Sequence, residues 1–311
     1  MSSSAVNLYA PCGLSKRSNE PPVSLHDIAG PPQETSAESR AKAWVSSAWS
    51  PNLLRRPFEE TYLGGFWGQI RKAPPPSAIR VFAVSAGFGI LPPGTPIPNY
   101  DATFAPRSHN SIGTTSQMNR EWWRHLGNYA ALHGRPQSIS SAMHLFPGIH
   151  LLALPQVYLD AVWEDVLVAI SDRNISHRIV ILTTPYSGDS FVSPRSLIVP
   201  SGLRAELGGT IGTILPRLAL HLATILNEQS GNLDALRSTV SKMRLENTLS
   251  PLRQKLTDGS VRLFIREFLR DHPGTVGYTP ALRDLRSKGL ACEMKRFRCL
   301  FNEIQVPNTH E

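Results

Sequence analysis

The sequence predicts an α/β fold, a mixed or mostly parallel sheet flanked by helices, with a C-terminal all-helical, helix-turn-helix-like unit. Three observations carry this. Short apolar runs, Val6 to Ala10, Ile79 to Val84, His150 to Leu154 and Arg178 to Leu182, end in turn-forming residues. Helical patterns separate them, the signature of parallel strands joined by crossovers. From Ser230 onward no strand-like run survives, so the expected domains are 1–230 and 231–311.

Taken in order, Val6 to Ala10 is a buried strand ending at Pro11-Cys12-Gly13. Ser18 to Glu38 is rich in Pro, Ser and Glu and is expected to be irregular. Ala41 to Ala48 is helical, and aromatics and glycines mix from Arg56 to Lys72 before the Pro74-Pro75-Pro76 breaker. Gln117 to His133 is a helix whose adjacent Trp122 and Trp123 cannot face the same core. Pro155-Gln156 opens a helix through Ile170, and Ile211 to Leu226 is a long apolar helix that Pro216 kinks or restarts.

The last segment has sharper boundaries. Val261, Phe264, Ile265 and Phe268 form an apolar stripe, with Arg262, Arg266 and Arg270 on another face. Thr279-Pro280 reads as an N-cap followed by proline, and Gly289 as the stop of that helix. A third helix, Ala291 to Gln305, turns Met294, Phe297, Phe301 and Ile304 inward and leaves Lys295, Arg296 and Arg298 outward.

Composition bounds the function. The 311 residues carry a formal charge of +8, and residues 251–311 hold eleven Lys/Arg against seven Asp/Glu, about half of that excess. A concentrated basic excess points to a polyanion, most often nucleic acid. Arg262, Arg266, Arg286, Lys295, Arg296 and Arg298 are the expected DNA contacts, with the third helix entering the major groove of double-stranded DNA. A helical cap merely solvated by its arginines is the alternative. No 18-residue apolar run and no signal-peptide pattern are present, so neither a membrane partner nor export is expected. Three cysteines, Cys12, Cys292 and Cys299, make no disulfide framework, which fits a cytoplasmic setting. The ten histidines show no metal-ligand spacing; no metal and no cofactor are expected.

The richest stretch for chemistry is Ile79 to Phe104. An apolar strand ends in Ser85-Ala86-Gly87-Phe88-Gly89, and a Pro/Gly-broken loop then delivers Asn99, Tyr100 and Asp101. Open α/β sheets bind ligands beyond their strand ends, where glycines let a ligand approach the backbone. Asp101 is the acid, base or hydrogen-bond acceptor of such a crevice; a tight turn with Tyr100-Asp101 as a cap is the plain alternative. Cys12, at a strand end and followed by Lys16-Arg17, reads either as a nucleophile or as a small buried hydrophobe. Gly208 to Thr213 and Thr183 to Asp189 are weaker loop signals.

Ordered motifs resemble the YaaA-like superfamily, in its cysteine-bearing branch. They are Tyr62-Leu63-Gly64-Gly65, then Ser85-Ala86-Gly87-Phe88-Gly89-Ile90-Leu91-Pro92, then Ile97-Pro98-Asn99-Tyr100-Asp101, preceded by Pro11-Cys12-Gly13 and Lys16. Leu151 to Val162 is similar to the family's later strand, which runs into a helix carrying a tyrosine. Asn99 stands where the family has proline, and a long insertion separates Cys12 from Tyr62. The resemblance implies a DNA-modification enzyme acting on a modified purine, hydrating the nitrile of 7-cyano-7-deazaguanine in DNA to the carboxamide. It implies Cys12, Asp101 and Tyr100 as catalytic residues, and Lys16, Tyr62, Gly64, Ser85, Gly87 and Asn99 as substrate-binding ones. A non-catalytic DNA-binding protein of the stress-response type and an enzyme of free nucleobases or nucleotides are the alternatives.

Overall fold

The computed structural model describes residues 5–13, 16–17, 21–106, 108–183, 196–199, 211–228, six helical positions between 234 and 242, 254–274 and 277–305. The chain divides into two compact units, Met1–Thr248 and Leu249–Glu311. The division falls at 248 rather than at 230.

The first unit is built on a six-stranded sheet of β1 (Val6–Pro11), β2 (Ile79–Ser85), β3 (Gly89–Leu91), β4 (Ile149–Leu152), β5 (Ile179–Thr183) and β6 (Ser196–Ile198). Its order is β6-β5-β4-β1-β2-β3. All neighbours are parallel except β2 and β3, which form a hairpin with Ser85 opposite Gly89. The apolar runs read in the sequence are therefore strands covered on both faces, the condition that makes parallel strands continuous in hydrophobicity.

Chain order dictates where the crevice lies. From β1 the chain moves to β2 on one side, and it returns to β4 on the other side of β1. Helices leaving β1 and β4 thus diverge, and open α/β sheets bind ligands at that switch point, beyond the carboxyl ends of the two strands. Cys12 follows β1 directly, and Pro155 and the helix carrying Tyr158 follow β4.

Helices α1 (Leu25–Ala29), α2 (Ala37–Ala48), α3 (Phe58–Thr61) and α4 (Gly65–Lys72) lie between β1 and β2. The stretch expected to be irregular contains α1 and a two-residue strand, Val23–Ser24, paired with Tyr100–Asp101. Ser24 caps α1 by accepting from the Asp27 amide, a local signal masked by the surrounding prolines. Helices α5 (Ser116–Leu132), α6 (Ile139–Leu145), α7 (Gln156–Ala161), α8 (Trp163–Ser171) and α9 (Ile211–Glu228) follow. The helix expected from Pro155 to Ile170 is broken at Val162 into α7 and α8. Contrary to expectation, Trp122 and Trp123 both pack into the one core of this unit, with different indole partners: Trp122 donates to the Ala86 carbonyl at 2.8 Å and Trp123 to Asp165 at 2.6 Å. Pro216 lies inside α9. The Thr184 to Asp189 part of one weak loop signal, and Gly208 to Thr210 of the other, lie outside the described residues.

His150 in β4 is 1% exposed. Burial, reinforced by Arg178 and Arg80, pulls its pKa from 6.5 to about 4. Between those values the unfolded chain binds a proton that the folded protein does not. Stability is therefore full above about pH 6.5 and falls as pH drops toward 4, by as much as about 3 kcal/mol. Urea unfolding across that range checks this, with His150→Gln expected to flatten the profile; a wild-type midpoint independent of pH contradicts it.

The second unit comprises α10 (Asp258–Asp271), α11 (Thr279–Ser287) and α12 (Met294–Gln305) around Val261, Ile265, Leu285, Phe297 and Phe301. It is helical, but Gln254–Lys255 and Leu290–Ala291 add a short parallel pair. Residues 288–293 link α11 to α12, a longer connection than the three or four residues usual in a helix-turn-helix. Tyr278, not Thr279, is the N-cap of α11. Met294, expected inward, is 55% exposed, because Phe297, Leu300 and Phe301 fill the core face of α12. Among the described residues, no helix is long and apolar enough to cross a membrane.

Candidate functional site

At the switch point lies a cavity of about 440 Å³. Pro11 at the end of β1 with Cys12 and Gly13 after it, and Pro155, Val157 and Tyr158 after β4, form one side. Gly64, Phe66 and Trp67 at the start of α4, with Thr213 and Pro216 of α9, close the other. The lining is mainly apolar with a few convergent polar groups, the usual character of a small-molecule site.

The local sequence explains this shape. Gly64 has φ of +103°, a conformation open to glycine, and so turns the chain abruptly into α4. The Trp67 indole donates to the Pro11 carbonyl at 3.2 Å, fixing α4 to the end of β1. Arg71 donates to the carbonyls of Tyr62 and Glu59, holding the Tyr62 segment behind the cavity. On the opposite side Arg120 of α5 pairs with Asp160 of α7 at 2.6 Å, which sets the helix that carries Tyr158.

Cys12 Sγ is 3.0 Å from the Tyr158 hydroxyl, a contact that spans the switch point. Tyr158 is 8% exposed and stands edge-on to Phe104. Burial first, and then the neighbouring Cys12, push its pKa well above the usual phenol range, so it serves as a neutral hydrogen-bonding group. Tyr158 stands in no catalytic motif of the sequence; its available signal is the tyrosine-bearing helix that follows Leu151 in the family resemblance. Gln156 lies close by in the chain and is not itself part of the lining. Both of its amide atoms are buried without a partner among the described residues, between two residues that line the cavity.

Behind Cys12 is a second layer. The Tyr100 hydroxyl is 2.7 Å from Ser85 Oγ and 2.8 Å from the Tyr62 hydroxyl. All three side chains are buried, and burial drives both tyrosine pKa values well up, with Cys12 adding to the shift. Lys16 Nζ sits 4.1 Å from the centroid of the Tyr100 ring, and Lys16 pairs by backbone with Tyr62. Burial lowers the Lys16 pKa, while nearby Cys12 and Asp101 act in the other direction. A lysine softened in this way can pass a proton to or from a neighbouring thiol. Asp101 is joined to the layer by that attraction and by accepting from Asn110 Nδ2 at 2.9 Å.

The structure therefore brings Cys12, Lys16, Tyr62, Ser85, Tyr100 and Asp101 into one region. It divides them between lining and support. Cys12 and Gly64 line the cavity, whereas Lys16, Tyr62, Ser85, Gly87, Tyr100 and Asp101 lie outside its lining, so Asp101 is a supporting group and not the acid or base of the crevice that the sequence suggests. The 85–89 turn is not the open ligand loop the sequence suggests. The Gly87 carbonyl accepts from the indoles of Trp44 at 2.7 Å and Trp49 at 3.2 Å. A Cβ on Gly87 would stand 2.8 Å from the Tyr100 ring, so the glycine makes room for that ring rather than for a ligand. Asn99 takes no part in the lining; its carbonyl accepts from the Val23 amide at 3.0 Å.

One cluster of possible metal ligands escaped the sequence reading because its members are distant in the chain. Ligand atoms of His26, Asp27 and His109 lie within 4.8 Å of one another at the surface, with the two imidazoles stacked at 3.8 Å. The three cysteines are unpaired.

In the second unit the expected DNA contacts divide as well. Arg262 pairs with Glu303 at 3.0 Å, and Arg296 donates to Asp258 at 2.6 Å and to the Leu256 carbonyl at 3.0 Å. These two arginines fasten α10 and the preceding segment to α12. Arg266, Lys295 and Arg298 are exposed, and Arg286 is half-buried.

No protein-family model matches the chain, and a search of curated proteins finds no match.

Proposed function

We propose that the chain is a cysteine-dependent enzyme that hydrates the nitrile of a modified purine, 7-cyano-7-deazaguanine in DNA, to the carboxamide. The observation that carries this reading is the Cys12 thiol, set in the switch-point cavity 3.0 Å from the Tyr158 hydroxyl. The identity of the purine rests on the YaaA-like resemblance.

The chemistry runs in two steps. Cys12 Sγ bonds to the nitrile carbon while its proton is transferred through the Tyr158 hydroxyl to the nitrile nitrogen, giving a thioimidate. Water then adds to that carbon. The tetrahedral species collapses by breaking the C–S bond, which returns the proton to sulfur and leaves the carboxamide. Loss of ammonia instead would give a thioester and finally an acid, so the outcome depends on which group leaves. The apolar lining admits a flat heterocycle. A base in duplex DNA has to leave the stack to reach such a cavity.

Mass spectrometry of nucleosides released from cyano-deazaguanine DNA after incubation with the protein tests this. The reading requires a product heavier by one water; unchanged nucleoside, or the acid, overturns it.

DNA engagement by the second unit is a separate part of the proposal and rests on the exposed Arg266, Lys295 and Arg298. Lys295→Ala with Arg298→Ala is expected to weaken duplex binding and to reduce the slope of log K against log salt by about 2. An unchanged slope assigns those side chains to plain surface. Arg296 is unsuited to this test, because its removal loosens the fold of the unit.

A further inference from the structure

A second cavity, of about 410 Å³, is lined by Trp49, Arg55, Pro93 to Pro96, His133 and Arg135. It shares no lining residue with the Cys12 cavity. Two cations face it in fixed positions. The Arg135 guanidinium lies 3.9 Å over the Trp49 ring and donates through Nη1 to the Phe88 carbonyl at 3.1 Å. Phe88 stacks with the Trp49 ring at a centroid distance of 5.6 Å. Arg55 donates through Nη2 to the carbonyls of Trp49 at 2.7 Å and Ser50 at 3.0 Å. A guanidinium has five N–H donors in a planar fork. One nitrogen of each is engaged, and no carboxylate pairs with either among the described residues. The acid nearest in sequence to the rim, Glu59, accepts from the Gly94 amide at 2.8 Å and does not line the cavity.

Two like charges held together in a partly buried cavity repel. Burial, together with the charge of Arg55, lowers the Arg135 pKa to about 10. An oxyanion placed between the forks relieves that repulsion and accepts the unused donors, and arginine forks suit bidentate contact with phosphate oxygens.

We infer that Arg55 and Arg135, braced by Trp49, form an oxyanion site for a phosphate group, supplied by a free phosphoester or by the phosphodiester of a nucleic acid strand. The inference is independent of the chemistry at Cys12. Both of its test readouts are binding measurements, so failure of the hydration reaction leaves them intact.

Inorganic phosphate titrated calorimetrically into the full chain, at ionic strength held constant with chloride, is the first arm. Binding is expected for the wild type, at least tenfold weaker for Arg55→Gln and for Arg135→Gln, and partly kept in Arg135→Lys. Absence of binding in the wild type, or wild-type affinity in either Gln variant, overturns the site. Should Arg135→Gln fail to fold, Arg55→Gln decides, since the hydrogen bonds of Arg55 among the described residues go to the nearby carbonyls of Trp49 and Ser50, just after α2. The second arm is fluorescence anisotropy of a labelled single-stranded oligonucleotide over a salt series. A slope smaller by about 0.7 in Arg55→Gln identifies a strand phosphodiester as the source. An unchanged slope, with phosphate affinity lost, identifies a free phosphoester.

Discussion

Replacing Cys12 by alanine is expected to abolish turnover, lowering kcat by about 10⁴-fold or more, the scale on which covalent enzymes lose rate when the nucleophile is deleted. The thiol is the only strong nucleophile among the described lining residues, and neither Tyr158 nor Thr213 can replace it in forming a thioimidate. Stability is expected to change little. Cys12 is only half-buried, and its contact with Tyr158 is one hydrogen bond, worth about 1 kcal/mol. The cavity gains rather than loses space, so the Kd for the nitrile-bearing DNA should rise by no more than a few-fold. Single-turnover kinetics and binding measured on the same preparation separate the two effects. Residual hydration above a tenth of the wild-type rate refutes the role assigned to Cys12.

Trp44→Ala is expected to be the most destabilising of the substitutions considered, by about 3–5 kcal/mol, the range for deleting a fully buried tryptophan. Trp44 is fully buried between α2 and the sheet. Its ring meets Phe88, Tyr100 and Trp122 at centroid distances of 6.2–6.5 Å, in edge-on and tilted geometries. Its indole holds the Gly87 carbonyl, and Gly87 is where the Tyr100 ring packs. The substitution therefore empties the core and loosens the layer that supports Lys16. Urea unfolding at neutral pH checks it: the midpoint should fall with the slope unchanged, and a loss below about 1 kcal/mol contradicts the packing described. Trp44→Phe should recover part of the loss but leave the Gly87 carbonyl with one donor fewer.

Strand positions were legible because strands covered on both faces leave a plain trace in the sequence. Ile79 to Val84 and Arg178 to Leu182 match the observed strands to within a residue at each end. The order of those strands was not legible, and order is what locates the cavity. Nothing local to Val6 to Ala10 reveals that β4 and β2 flank it. The candidate site was legible to a similar extent. Cys12, Lys16, Tyr62, Tyr100 and Asp101 were named from motifs, and the structure gathers them. Their division into lining and support depends on packing, because the glycine-rich 85–89 loop has the same sequence whether it opens to a ligand or encloses Trp44 and Tyr100. Tyr158 was missed because a tyrosine in an amphipathic helix reads as core until the opposing thiol is placed. In the second unit the basic stripe was visible, but the pairing of Arg262 with Glu303 and Arg296 with Asp258 was not. Each pair joins residues about forty positions apart.

The central claim is that sulfur at position 12 bonds to the substrate. The most direct measurement is mass spectrometry of the protein quenched during turnover of cyano-deazaguanine DNA, followed by nuclease and protease digestion. The account predicts that the peptide containing Cys12 carries the added mass of the nitrile-bearing nucleoside or nucleotide, with nothing lost, and that Tyr158→Phe changes how much adduct accumulates. An unmodified Cys12 peptide while carboxamide product forms would contradict it.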